Sequence, residues 1–582
     1  MVRLDRWEQD ARRPARPARR APGSSRRGAL IVRAFLPSWS DWSPGVRAPG
    51  ADLLSGLIVA LVALPLALGF GIASGLGASA GLATAVVAGV IAAVFGGSGF
   101  QVSGPTGAMT VVLVPIFHRH GAPAVLAVGL MAGVVLVMLA FARVGRAVRY
   151  LPAPVLEGFT AGIATVIALQ QVPAALGIAH ADGEKVWQSA FDAVRQYASH
   201  ANPMPLITAF VVAAIVLGGG RLLPRLPFAL IAVAGATVAA RIMHLELTPI
   251  GAIPSGLPCP SWEFLHLEQL GALVAPALAV AALAALESLL SASAADAMAV
   301  GARYDPDREL LGQGLANIAA PLFGGVPATG AIARTAVNVR SGARTRLAAL
   351  THALILAGVV YLAAPLVADV PLAALAGVLL ATTVRMVETA SLAAIARASK
   401  GDAVIMAVTF GVTVAVDLVT AVAVGVGAAV LLAVRSVAKE ARLQQFPIDI
   451  GSDDEESRTA ERELLHDHIV AYRIEGPLFF AAAHRFLLEL AEISDVHVVI
   501  LRMSHITALD TTGALVLADV IRKLEHRQIT VLMSGLRADH RRRLAAIGAL
   551  PVGGDAHIFG HTREAIVHAR GYLPSGVESA RR

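Results

Sequence analysis

The sequence predicts a polytopic α-helical membrane protein with a small α/β domain at its C-terminal end. Three observations carry this reading. Of 582 residues, 56% are hydrophobic and only 15% charged, with mean hydropathy +0.67; a soluble domain carries about a quarter charged residues. Residues 51–438 are a succession of apolar runs joined by short Pro- and Gly-rich turns, and about 20 such residues span a bilayer. Residues 445–582 then change character. A polar stretch holds the acidic run Asp453-Asp454-Glu455-Glu456. Strand-like runs follow at His468–Ile474, Val496–Leu501 and Ile529–Met533, with a helix from Thr512 to His526. Alternating strands and helices indicate an α/β unit.

The membrane region reads as two sets of seven spans. The first set is 52–71, 80–97, 104–118, 122–143, 152–177, 204–218 and 224–241. The second is 270–298, 308–323, 329–338, 345–367, 371–389, 402–417 and 419–437. Two of these spans open on matched breaks. Ser103-Gly104-Pro105-Thr106-Gly107-Ala108 precedes the third, and Gly324-Gly325-Val326-Pro327-Ala328-Thr329-Gly330-Ala331 precedes the tenth. Gly and Pro stop a helix, so each break predicts extended backbone followed by a helix that begins inside the membrane. Non-helical backbone at that depth survives only where it is buried or lines a cavity. Paired broken helices in corresponding halves point to a substrate site. Two helix N-termini facing each other suit an anion.

The net charge of +7 is local. Residues 1–50 hold eleven Arg against four acids, Asp5, Glu8, Asp10 and Asp41, which accounts for all of it. This Arg-, Pro- and Ser-rich arm predicts a disordered cytoplasmic tail and lacks the apolar core of a cleaved signal peptide. The inner loops hold Arg143, Arg146, Arg149, Arg221, Arg225, Arg303, Arg308, Arg340, Arg344, Arg346, Arg397 and Lys400. The longest outer loops hold Lys185 and Arg195, with Arg241 near the end of span seven. That asymmetry places both termini in the cytoplasm. The single cysteine, Cys259, excludes an intramolecular disulfide and a Cys-based metal cluster. No metal-ligand spacing, nucleotide-binding motif or catalytic constellation is present, so the chain reads as no enzyme, with no cofactor and no nucleic-acid partner.

Glu287 is the sharpest side chain. It lies in a long run of Ala, Leu and Ser, far from either end of its span, and a carboxylate there is a candidate proton carrier, the alternative being a neutral structural acid bonded between helices. Ser291 shares its helical face. Arg334 falls inside the tenth span, where an Arg is costly and marks function; the alternative is that it snorkels beside Arg340. Asp296 and Asp417 read as turn-orienting residues, His352 as a core histidine with a proton relay as the alternative, and Glu157 is unassigned.

Several long segments resemble one family. They are DLLSGLIVALVALPLALGFGIASG (Asp52–Gly75), FGGSGFQVSGPTGA ending at Ala108, and LPAPVLEGFTAGIA (Leu151–Ala164). The second half adds LESLLSASAADAM (Leu286–Met298) and GQGLANIAAPLFGGVPATGAIARTAVNVRSGAR (Gly312–Arg344). These resemble sulfate permease (SulP) family anion transporters over about 52–437. Residues 467–570 resemble the cytoplasmic STAS domain of that family through GPLFFAAAHRF (Gly476–Phe486) and Leu509-Asp510-Thr511-Thr512-Gly513. Bacterial four-carbon (C4) dicarboxylate members look most similar, through residues 62–66, 287–290 and 476–483.

The resemblance implies a seven-plus-seven inverted repeat with core and gate domains, and a homodimer. It places the anion between the N-termini of the third and tenth spans, backed by the first and eighth. On this chain that is Ser103, Gly104, Thr106, Gly107 and Ala108 facing Thr329, Gly330, Ala331, Ile332 and Arg334, with backbone N–H groups doing most of the binding. The family's carboxylate at the position of Glu287, with Ser291 nearby, couples anion movement to H⁺ or Na⁺. Many members carry Gln or Glu after the Pro of the first span. This chain has Leu66 there and Phe70 one turn later, so its site wall is less polar. Thr511 and Thr512 match the loop where soluble STAS relatives are phosphorylated, and a Thr N-cap without regulation is the alternative.

The expected organisation is an Arg-rich arm over 1–50, a first repeat over 51–242 and a second over 243–438. A linker over 439–466 and a STAS domain over 467–575 complete it. The expected function is secondary active transport of a small anion (C4-dicarboxylate, sulfate or bicarbonate) across a bacterial inner membrane by H⁺ or Na⁺ symport. The STAS domain is regulatory in this reading and a candidate docking point for a cytoplasmic protein. The membrane lipid is the other partner. An uncoupled exchanger or channel of the same fold is one alternative, and a non-transporting membrane scaffold is another.

Overall fold

Among the described residues of the membrane region, the apolar runs become helix. In the computed structural model, residues 35–572 are described except 147–151, 180, 184, 200–201, 223–225, 267, 269, 300–302, 417, 441, 446–467, 480–495 and 552. The N-terminal arm up to residue 34, Arg149, Arg225, Asp417, the acidic run at 453–456 and the latter part of the Gly476–Phe486 motif lie outside the described residues. The chain divides into two compact units, one ending at Val426 and one starting at Gly427.

The first unit runs α1 Gly50–Ala73, α2 Ala78–Phe95, β1 Ser103–Gly104, α3 Gly107–Phe141, α4 Ala153–Leu176, α5 Val186–Ser199, α6 Pro203–Leu222 and α7 Phe228–Ile242. It continues with α8 Leu270–Met298, α9 Pro306–Leu322, β2 Thr329–Gly330, α10 Ile332–Arg340, α11 Leu347–Leu362, α12 Leu372–Met386, α13 Thr389–Ala398 and α14 Lys400–Ala415, and α15 Leu418–Glu440 runs across the division at Val426. The predicted third and fourth spans lie on either side of a break within α3. Gly121 (φ 77°, ψ −178°) breaks the helical path between them, a conformation that glycine alone adopts without strain. The predicted tenth span is shorter than a bilayer, because nine residues rise only about 13 Å. The preceding residues are spent on β2.

Within residues 51–438, two amphipathic helices were not anticipated. Residues 186–199 read as an outer loop and 390–401 as a connection, yet α5 and α13 form there. Both are amphipathic rather than apolar, so a search for spans passes over them. Among the described residues, seven helices are long and apolar enough to cross a membrane by length and composition.

Small residues bring the helices to near backbone contact, as membrane helices without a hydrophobic driving force require. A Cβ on Gly133 of α3 would lie 2.7 Å from Gly314 O on α9. A Cβ on Gly314 would lie 2.9 Å from Gly133 O. The two helices are therefore seated together wherever these glycines meet. Leu113, Val125, Val128 and Leu136 of α3 form an apolar core with Leu273, Val280 and Leu289 of α8. A second core joins Leu68 and Phe70 of α1 to Leu356, Leu375 and Leu379 of α11 and α12.

The second unit carries a sheet of order β3–β4–β5–β7–β8, with β6 also on β4. Its strands are β3 Arg442–Gln445, β4 Ile469–Leu478, β5 Val498–Arg502, β6 Ile506–Leu509, β7 Thr530–Ser534 and β8 Ile558–Phe559. β4, β5, β7 and β8 run parallel, and β3 adds an antiparallel edge. Helix α16, Thr511–His526, buries Leu517, Ile521 and Leu524 against Ile474, Leu501 and Val531. On the opposite face, Ala565 and Ile566 of a C-terminal helix (Thr562–Ala569) meet Ile469, Ile500 and Leu532. Strands covered on both faces read as continuous apolar runs, which is why β4, β5 and β7 were visible in the sequence. β3, β6 and β8 were not, being two to four residues long.

Candidate functional site

The two breaks meet. β1 and β2 pair antiparallel, with Ser103 opposite Gly330 and Gly104 opposite Thr329. Each strand leads into a helix that starts at the pair, α3 at Gly107 and α10 at Ile332. Thr106 caps α3, its side chain accepting from Met109 N at 3.5 Å. Ala331 caps α10 without a side-chain bond. The first-turn N–H groups of a helix have no intrahelical acceptor, so Gly107, Ala108, Ile332 and Ala333 present four such groups near one crossing. Ile332 and Ala333 are exposed while Gly107 and Ala108 are buried.

Glu287 of α8 joins the two entrances. Its Oε2 accepts from Thr106 Oγ1 at 2.9 Å and from Thr329 Oγ1 at 2.6 Å. Arg334 is 1% exposed. Its Nη2 donates to Pro105 O at 2.5 Å, while Nε and Nη1 have no partner among the described residues. A Cβ at Gly104 would sit 2.6 Å from Arg334 Nη1, so the guanidinium lies directly against the β1 backbone. Arg334 and Glu287 are also within Coulombic range of one another. A buried cation with two unspent donors, a carboxylate and two helix N-termini form one cluster. Snorkelling beside Arg340 is excluded by this burial.

Two expected donors are spent inside the protein. Gly330 N donates to Ser288 Oγ at 3.0 Å, and Ala331 N to Val102 O at 2.9 Å. The antiparallel pairing and the neighbouring α8 consume these N–H groups, which leaves the free donors one step later, in the first turn of α10. A Cβ at Gly330 would collide with the buried Gln101 amide, so this glycine answers to a close approach. Ser291 shares the α8 stripe with Glu287, but its hydroxyl donates to Thr335 Oγ1 at 3.0 Å.

Of the two wall residues, Phe70 lies against the start of α3, its ring edge 3.1 Å from where a Gly107 Cβ would be. Ile167 of α4 touches the same point. Leu66 is buried in the same cluster as Phe70. Sequence reasoning missed Ile167, Ser288 and Gln170. Gln170 Oε1 accepts from Thr110 Oγ1 at 3.2 Å, and a Gln inside an apolar span was the signal available for it.

The weaker candidates fall as follows. Asp296 accepts from Tyr304 N at 2.8 Å and orients a turn. Glu157 accepts from Ser391 Oγ at 2.7 Å. His352 is fully buried in α11. Thr511 and Thr512 are exposed in the first turn of α16. The cap itself is Asp510, whose side chain accepts from Gly513 N at 2.6 Å. An Asp side-chain oxygen takes the capping position expected of a Thr.

Residues 50–409 match the sulfate permease family, and residues 464–565 match the STAS domain. The first match spans more than half of the chain and contains β1, β2, Glu287 and Arg334. The chain belongs to the sulfate permease family. YvdB of Bacillus subtilis (strain 168), a protein named as a sulfate transporter, is 35% identical over 88% of this chain and 96% of its own length. The bicarbonate transporter BicA of Synechocystis is 30% identical over 85% of this chain and 89% of its own. The solved transmembrane domain of a cyanobacterial BicA superposes with TM-score 0.60 at 32% identity, covering 64% of this chain and 97% of that one. The murine anion transporter Slc26a9, solved in the inward-facing state, gives TM-score 0.81 at 18% identity over 98% of this chain and all of its own. This last likeness concerns the fold alone. The chain is thus a multi-pass membrane protein of an anion-transporter family with a C-terminal STAS domain, and these relatives are transporters rather than enzymes.

Proposed function

We propose that this protein is a secondary active transporter that binds a small anion between the N-termini of α3 and α10 and moves it together with H⁺ or Na⁺. The carrying observation is the shared carboxylate. Glu287 bonds both entrance threonines and lies in Coulombic range of Arg334. With Glu287 ionised, its charge offsets that of Arg334, and an incoming anion meets little net attraction. With Glu287 protonated, or paired with Na⁺, the guanidinium's charge is uncompensated. Opposite charges attract strongly in a site shielded from water, so cation and anion binding reinforce each other. That reciprocity is the requirement for symport.

The anion would take the first-turn N–H groups of Gly107, Ala108, Ile332 and Ala333, with Arg334 supplying the charge. Sulfate and bicarbonate lead as substrates because relatives bear those names. A short dicarboxylate stays in the panel because Phe70 and Ile167 make the adjoining wall apolar. The distribution of Arg and Lys supports cytoplasmic termini in a bacterial plasma membrane. The family resemblance supports a homodimer with a regulatory STAS domain. The proposed organisation is an arm to residue 50, repeats over 51–242 and 243–438, and a STAS domain over 467–575.

The test is uptake of labelled sulfate, bicarbonate and succinate into proteoliposomes under imposed H⁺ or Na⁺ gradients. Accumulation of one of them above equilibrium, abolished by collapsing one gradient, is the expected result. Equal filling with or without a gradient would make the protein an uncoupled exchanger or channel, and no uptake of any anion would favour a scaffold.

A further inference from the structure

Helix α9 holds both site strands from behind with three buried polar side chains. Glu309, Gln313 and Asn317 are 1%, 0% and 0% exposed. Four residues apart, they form one stripe along the helix. Glu309 Oε2 accepts from Gly97 N at 2.9 Å and Ser98 N at 3.0 Å, in the connector that leads to β1. Gln313 Nε2 donates to Ser103 Oγ at 2.6 Å and to Glu309 Oε1 at 2.9 Å. Asn317 Oδ1 accepts from Ala328 N at 2.8 Å, and its Nδ2 donates to Ala328 O at 2.9 Å. Gln313 therefore grips β1, and Asn317 grips the residue that enters β2.

This arrangement does more than satisfy polar atoms. β1 and β2 share a register of only two residues each, and so short a ladder is weak by itself. The helix behind it is stiff, with a rise of about 6 Å between positions four apart. It is also seated against α3 through Gly133 and Gly314. Two amides on one rigid stripe thus hold the two strands at a set separation, and the strands in turn place the starts of α3 and α10. The distance between those two donor sets decides which anion reaches both at once, because a donor left without its acceptor costs affinity.

We propose that Gln313 and Asn317 are positioning residues that set the size selectivity for the anion, by fixing the spacing of the two half-helix entrances. This rests on the reading of those entrances as the anion site. Neither side chain need touch the anion; each acts through the strand it holds.

Two measurements on the full-length protein test it. The first is inhibition of labelled anion uptake in proteoliposomes by unlabelled sulfate, bicarbonate and succinate, for wild type, Gln313→Leu and Asn317→Leu. Ser103→Ala removes the Gln313 bond from the strand side and guards against a misfolded Gln313→Leu. The ratio of half-inhibitory concentrations should move by about fivefold or more, and Ser103→Ala should move it in the same direction as Gln313→Leu. Equal weakening towards all three anions would leave the pair a purely structural role and overturn the proposal. The second is amide hydrogen exchange, which needs no transported anion. Gln313→Leu should raise exchange over 97–104 and Asn317→Leu over 326–330; unchanged exchange at both strands would overturn the grip itself. Wild type that carries none of the three anions would sink the transporter reading instead, with the exchange data still deciding on α9.

Discussion

Thr106 and Thr329, from opposite halves of the chain, have hydroxyl oxygens 3.1 Å apart and direct them at one oxygen of Glu287. Each hydroxyl has a single hydrogen. If both are spent on the carboxylate, the edge between the two threonines carries none. The state of Glu287 is therefore felt at both half-helices together. Protonating the carboxylate weakens an acceptor that two elements share and adds a donor beside them.

Glu287→Gln should lose gradient-driven uptake by at least about tenfold while keeping anion binding and exchange, since the amide resembles the neutral acid. Wild-type anion affinity should fall as pH rises, because ionised Glu287 offsets Arg334; in Glu287→Gln that slope should vanish. Binding titrations from pH 5 to 8 read both effects, and full concentrative uptake by a well-expressed Glu287→Gln removes Glu287 from the coupling.

Arg334→Ala should weaken anion binding, more for a divalent than for a monovalent anion, because the Coulomb energy scales with both charges. It also strips Pro105 O of its donor, so Arg334→Lys serves as the comparison that keeps the charge without the planar fork. Calorimetry with sulfate and bicarbonate reads the difference, and equal affinity in wild type and Arg334→Ala would move the anion elsewhere.

Thr329→Val and Thr106→Val keep side-chain shape but remove a donor to a carboxylate. Each should cost about 1–3 kcal/mol of stability. The double variant should cost more than the sum of the two, since only the second loss leaves the shared acceptor without either donor. Thermal unfolding in detergent gives the comparison, and strict additivity would mean the two threonines answer to separate partners.

Asp510→Ala removes the cap of α16 and should lower the protection of that helix by about 1 kcal/mol in hydrogen exchange. A phosphate on the exposed Thr511 or Thr512 would meet the same helix N-terminus and should raise it. Protection indifferent to Asp510→Ala would mean that the sheet alone holds the helix.

A chain ending after Glu440 should still insert and still bind anion, because the site is built from elements before Val426. Its turnover or assembly should differ from full length if the STAS domain is regulatory. Rates and oligomeric state indistinguishable from the intact protein would show the domain to be dispensable for both.

Much of this was written locally. Composition and run length settled the membrane class, since lipid admits only long apolar helices. The breaks at 103–108 and 324–331 were legible because Gly and Pro act on their own neighbourhood. Glu287 stood out because a carboxylate is conspicuous among Ala and Leu. The three parallel strands showed as apolar runs for the same local reason. What tertiary structure decided is where polar atoms from different elements find each other. Only the pairing of β1 with β2 and the packing of α8 beside them reveal that Gly330 and Ala331 spend their N–H groups internally. Only the folded core brings Thr106 and Thr329 to one carboxylate, and sets Gln313 and Asn317 behind the strands they hold. α5 and α13 escaped because their faces are sorted by neighbours rather than by overall hydropathy. A sequence states which groups must be satisfied; which partner satisfies each depends on a geometry that only the assembled helices possess.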